Sequence, residues 1–114
     1  MAFGTRVEFE AIREAAFGSV GASYAALGTA LIDHARLIRI VNTTNAEVYI
    51  SFDGSTNQVR LAASSFILLD LCSNKVQDDG FFIPVGTIIY QKRVSGAPSS
   101  GSVWAEVMYA EGGV

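Results

Sequence analysis

The chain has 114 residues, half of them apolar and 17% charged, with a net charge of -3. That length holds one domain, and the charged share falls short of the ~25% of an average soluble domain. The acidic balance argues against a general nucleic-acid binder, whose mark is a basic patch, and the single cysteine excludes an internal disulfide and any multi-thiolate metal site.

The N-terminal stretch VEFEAIREAAF is ambiguous. Phe9, Ile12 and Ala16 stand at helical spacing, while Val7, Phe9, Ala11 and Phe17 alternate as in a strand. As a strand it puts Glu8, Glu10 and Glu14 on one solvated or salt-bridged face. The spread of charge here leaves no apolar core for a signal peptide, and no run of ~18 apolar residues predicts a membrane helix anywhere. Gly18, Gly21 and Gly28 then break the chain, so GASYAALGTALID is expected as a strand or an extended arm of small residues packed on a neighbour. Residues 1–34 thus form an N-terminal segment lying on the domain or on a neighbour, and residues 35–114 form the core.

From Arg36 the pattern is that of strands. Arg36–Asn42 (RLIRIVN) and Phe66–Leu71 (FILLDL) are almost continuously apolar, as expected near the centre of a sandwich. In Glu47–Asp53, Val48, Ile50 and Phe52 share one face. In Thr87–Val94, Ile88 and Tyr90 alternate with Ile89, Gln91 and Arg93, and in Ser102–Ala110, Val103, Ala105, Val107 and Tyr109 alternate with Trp104, Glu106 and Met108. Turn-forming clusters separate these runs: Asn42–Asn45, Asp53-Gly54-Ser55, Asp78-Asp79-Gly80, Pro84-Val85-Gly86 and Ser95–Gly101. Short strands at such spacing predict an all-β, single-domain antiparallel β-sandwich, jelly-roll-like.

The residues that carry chemistry are sparse. His34 stands beside Asp33, but neighbours on a strand point to opposite faces, so a His–Asp pair serving a serine nucleophile is not expected. Asp53-x-Ser55-x-Asn57 imitates the start of a calcium loop; its glycine position holds Gln58 and its bidentate glutamate position Ser64. Gly18-Ser19-Val20-Gly21 is no phosphate cradle, and three glutamates without a cleft do not make a glycosidase. Cys72 is expected to be a buried thiol, and Asn42-Thr43-Thr44, formally a glycosylation sequon, matters only in a eukaryotic secretory pathway. No catalytic residue, metal or cofactor is expected. Interface-type residues do stand out on the polar strand faces: Tyr49, Trp104 and Met108 line either an interface or a second face buried within the sandwich itself.

The succession AAFGSVGASYAALGTAL, HARLIRIVNTTNAEVYISFDG, LLDLCSNK and GFFIPVGTIIYQKRVSGAPSSGSVWAEVMY resembles a family of small virion structural proteins of tailed bacteriophages. The elements that carry the resemblance are Arg36 with its strand, Asn42, the ISFDG corner, Ser73-Asn74, Gly86-Thr87 and the SGAPSSGSV hairpin, from about Ala15 to the C-terminus. The resemblance implies a non-enzymatic subunit of the particle, a capsid decoration (cement) protein ahead of a neck or tail component. It would be made and assembled in the bacterial host cytoplasm. The partners expected are the major capsid protein or neck and tail proteins, with homo-oligomerisation and without nucleic acid or membrane. The rival is a carbohydrate-binding adhesion module using Trp104 or Tyr49 with the Asp53 loop; a small hydrolase using Asp33 and His34 is a third reading.

Overall fold

A computed structural model describes residues 6–71 and 83–111. Cys72, Ser73-Asn74 and the Asp78-Asp79-Gly80 turn lie outside the described residues. The described chain is all β: β1 (Arg6–Phe9), β2 (Arg13–Ala16), β3 (Ala25–Ala26), β4 (Ala35–Asn42), β5 (Val48–Ser51), β6 (Val59–Leu61), β7 (Ser65–Asp70), β8 (Tyr90–Arg93) and β9 (Ser102–Glu111). They form two antiparallel sheets, a front sheet in the order β1-β9-β4-β7, with β2 also on β9, and a back sheet in the order β3-β8-β5-β6.

The two sheets bury one face each against the other. From the front sheet come Ile38, Ile40, Val103, Ala105 and Val107; from the back sheet come Val48, Ile50 and Leu61; Ile89, Leu27 and Leu31 close the space between. The period of two set by Val48 and Ile50, and by Val103, Ala105 and Val107, places every second side chain there. Each fully buried Ile, Leu or Val stabilises the sandwich by roughly 1.5–3 kcal/mol.

The ambiguous N-terminus is a strand, with a single 3₁₀ turn at Phe17–Ser19. It is interrupted once. Phe9 pairs with Met108 and Arg13 with Ala105, so four steps along the first strand match three along β9. The extra residue is a β-bulge, and it reverses which side chains face inward. The three glutamates therefore do not share a face. Glu10 turns inward into an ion pair with Arg13, whereas Glu14 stays on the outer side, opposite Trp104. The next segment contributes the short edge strand β3, paired with β8, and the buried Leu27 and Leu31.

One expectation fails in the front sheet. β4 is central, between β9 and β7, as its apolar run suggested, but β7 is an edge strand. Ile67 and Leu69 pack on the core, while Phe66 and Leu68 point outward, 62% and 48% exposed. A nearly continuous apolar run signals two apolar faces; among the described residues nothing covers the second.

Candidate functional site

Cross-strand partners share a face, so the strand registers map the outer side of the front sheet row by row. The first row runs Phe9, Met108, Leu37, Asp70; the second Glu106, Arg39, Leu68; the third Glu14, Trp104, Val41, Phe66. A bulge at Arg36 in β4, between the pairs Ala35–Tyr109 and Leu37–Met108, aims Leu37 outward while Ala35 and Ile38 stay buried. Phe9 is 71% exposed. Apolar side chains therefore dominate both outer rows, in a pattern that soluble monomers rarely display as one patch.

Between the rows, Arg39 Nε donates to Glu106 Oε1 at 2.5 Å. The hydrogen bond and then the charge of Glu106 raise the Arg39 pKa above its ordinary value. The Trp104 indole N–H reaches Thr43 Oγ1 at 3.3 Å, and Ser102 Oγ donates to Glu14 at 2.7 Å, which fixes the rim of the third row.

Tyr49 lies on the opposite side of the molecule, on the outer face of the back sheet. There Lys92 Nζ sits 4.6 Å from the Tyr24 ring centroid and 5.7 Å from that of Tyr49, within cation–π range. Beside them Arg60 holds Glu47 through two hydrogen bonds of 2.9 and 2.8 Å, and that bonding lowers the Glu47 pKa. The Tyr24 hydroxyl donates to Asn57 Oδ1, and its pKa is raised by burial first, then by the charge of Asp53. Of the residues singled out for an interface, Trp104 and Met108 thus share a face, and Tyr49 does not join them.

The Asp53 loop joins β5 to β6 and is closed on itself. Asp53 Oδ1 accepts from Ser55 N at 2.9 Å, Thr56 N at 2.8 Å and Ser51 Oγ at 2.8 Å. Those donors, the Ser55 and Thr56 amides foremost, hold its pKa far below the usual carboxylate range. Gly54, at φ +81°, lies against the Tyr90 ring. The carboxylate serves the turn as an Asx cap, with its Oδ1 engaged by three donors.

His34 and Asp33 are tied into the frame. His34 Nδ1 accepts the Val85 N–H at 2.9 Å, joining the loop before β4 to the Pro84–Gly86 turn. The Asp33 N–H donates to Glu10. Among the described residues no three His, Cys, Asp or Glu side chains gather as a metal site, and no helix is long and apolar enough to cross a membrane.

The chain matches no protein-family model, no curated protein and no solved structure. The outer face of the front sheet gathers the exposed Phe9, Phe66 and Leu68 with Trp104 and Met108. Trp104 and Met108 pointed to it in the sequence; Phe9, Leu37, Arg39, Val41, Phe66 and Leu68 did not. Their signal is the doubly apolar β7 with an alternating β4, and it becomes a face only once the registers align them.

Proposed function

We propose that this chain is a non-enzymatic structural subunit of a bacteriophage virion, a capsid decoration (cement) protein that binds the assembled particle and uses the outer face of its front sheet for contact with a neighbouring subunit there. The observation that carries the reading is that face, where Phe9, Phe66 and Leu68 stand exposed beside Trp104 and Met108. A protein that binds only the assembled lattice stabilises it by mass action, and this requires a surface with apolar area to bury, not a reactive group.

The strand order supports a jelly-roll fold within the two-sheet sandwich. With β1 and β2 counted as one interrupted strand, the strands number one to eight in chain order, and the sheets read 1-8-3-6 and 2-7-4-5. A long hairpin ribbon rolled over on itself gives this interleaving, and capsid and lectin domains are common users of it. One fold serves many functions, so the specific surface is the exposed outer face of the front sheet.

Particles purified by density gradient, with the chain quantified by mass spectrometry, test the reading. A fixed ratio to the major capsid protein is expected, and particles lacking the chain should open at lower temperature. Absence of the chain from mature particles overturns it.

A second reading, a carbohydrate-binding adhesion module, draws on Tyr24 and Tyr49 beside the Asp53 loop. The Lys92 ammonium lies over both rings, where a sugar would stack, and this places the adhesion reading second. Binding on a glycan array that Tyr49→Ala abolishes would reverse the order.

A further inference from the structure

The geometry points to a second copy of this chain as the occupant of the front sheet's outer face, docked about a two-fold axis that runs along the strands midway between β4 and β9. The inference rests on reading that face as a docking surface, and it names the partner there.

Two sheets packed face to face by a two-fold must have the axis in the plane between them, because an isologous contact presents the same patch from both sides. The middle row then decides its direction. An axis running across the strands would set Arg39 over the partner's Arg39 and Glu106 over the partner's Glu106, which is repulsive twice. An axis along the strands lays β9 of one copy over β4 of the other. Arg39 then meets the partner's Glu106 and Glu106 meets the partner's Arg39.

The rows above and below fit the same operation. Met108 opposes the partner's Leu37, and Trp104 opposes the partner's Val41, so the two central strands close apolar on apolar. The acidic Glu14 and Asp70, at opposite corners of the pattern, come over the partner's Phe66 and the partner's Phe9 at the rim, where the carboxylates keep their water. The Arg39–Glu106 pair is half exposed in one copy, at 48% and 31% of its side-chain surfaces. Alone, it would lose hydration when covered. Doubled into an alternating ring of four charges, each group gains a second opposite neighbour, which offsets that loss.

The area suffices for a modest dimer. Four strands ~4.8 Å apart and about seven residues long give a plan of roughly 450 Å² per copy, hence on the order of 1,000 Å² buried in total. That lies at the small end of specific interfaces, where weak contacts are found, and the dimer is expected to dissociate in the micromolar range.

Sedimentation equilibrium and native mass spectrometry of the whole chain test this. The wild type should be a dimer at about 100 µM, and R39E and E106R should each be monomers, with dissociation constants raised by ~100-fold or more. Mixed at equal concentration, the two variants should form a dimer with one copy of each, since two carboxylates in one chain then face two guanidinium groups in the other. A wild type that stays monomeric, or a mixture that stays monomeric while both variants keep the wild-type thermal midpoint, overturns the proposal. If either charge variant does not fold, V41D replaces it, and a V41D chain that remains dimeric overturns the proposal equally. A monomeric chain found in particles at fixed ratio removes this dimer and leaves the virion reading intact; a dimer absent from particles does the reverse.

Discussion

Glu10 and Arg13 form a buried ion pair across the bulge that interrupts the first edge strand, with Arg13 Nη2 donating to Glu10 Oε1 at 2.7 Å. Arg13 also donates to the carbonyls of Thr29 and Ala30, and Glu10 accepts from the Ile32 and Asp33 amides. The pair thereby ties the edge strand to the loop that leads into β4. Removing one partner leaves the other charge buried and alone, so Arg13→Ala and Glu10→Ala should each cost about 3–5 kcal/mol. Urea unfolding midpoints of both variants measure it. A loss as small as that of a surface pair would show that the bulge stands without it.

Asn42 is the second internal tie. Its Nδ2 donates to the Ala46 carbonyl at 2.9 Å and the Ala62 carbonyl at 3.0 Å, while its Oδ1 accepts from Thr44 N at 3.0 Å and Thr44 Oγ1 at 2.6 Å. It joins the β4–β5 turn to the β6–β7 turn from a fully buried position, which also removes it as a glycan acceptor. Asn42→Ala should destabilise by about 2–4 kcal/mol, because it strands buried carbonyls. Asn42→Asp should be worse at neutral pH, since a carboxylate would face the same carbonyl oxygens, and thermal midpoints at neutral and mildly acidic pH should separate the two.

Gly101 adopts φ +83°, and a Cβ there would overlap the Thr43 carbonyl. This close approach lets Thr43 N–H reach the Ser102 carbonyl at 2.9 Å. Gly101→Ala should cost more than about 2 kcal/mol, through strain and displacement together. Gly18→Ala, in open space at an ordinary φ, should change stability by less than about 0.5 kcal/mol under the same calorimetry.

The pH dependence follows from Asp53 and Glu47, whose pKa values are lower in the folded chain than in the unfolded one. Such groups contribute stability that is complete above their unfolded pKa values, about 3.9 and 4.3, and is lost as pH falls toward the folded values. Wild-type stability should hold from neutral pH to about 5 and decline below about 4. Asp53→Asn, which keeps an oxygen acceptor but does not titrate, should be less stable than wild type at neutral pH. Urea midpoints should converge in acid; a constant gap would mean that Asp53 stabilises by shape alone.

The sequence reveals the sandwich where one face of a strand is apolar and the other is not. Glu47–Asp53 and Ser102–Ala110 alternate, and their inward residues form the core. It misleads at β7, because FILLDL is apolar on both faces and local pattern cannot separate a central strand from an edge strand with an uncovered side. It is silent at the bulge between Phe9 and Arg13, where one extra residue sends Glu10 inward; only the register against β9 reveals that. The docking face is legible in part for the same reason. Trp104 and Met108 look out of place among polar neighbours, whereas Phe66 and Leu68 look like core.

Trp104 is the single tryptophan, and it stands in the third row of the outer face, half-buried in one copy. Its emission should therefore report on occupancy of that face. Dilution through the micromolar range should shift the emission to the red as the covering partner leaves, with a midpoint equal to the dissociation constant from sedimentation. Tyr49 occupies the other side of the sandwich, across the core from Trp104, beside Lys92. Trp104→Ala should weaken self-association by ~10-fold or more, as loss of an aromatic anchor does, while Tyr49→Ala should leave it unchanged. Both variants should keep the wild-type far-UV spectrum, since neither side chain lies in the core between the sheets. Equal losses from the two substitutions would assign the contact to both outer faces, and a loss confined to Tyr49→Ala would move it to the back sheet.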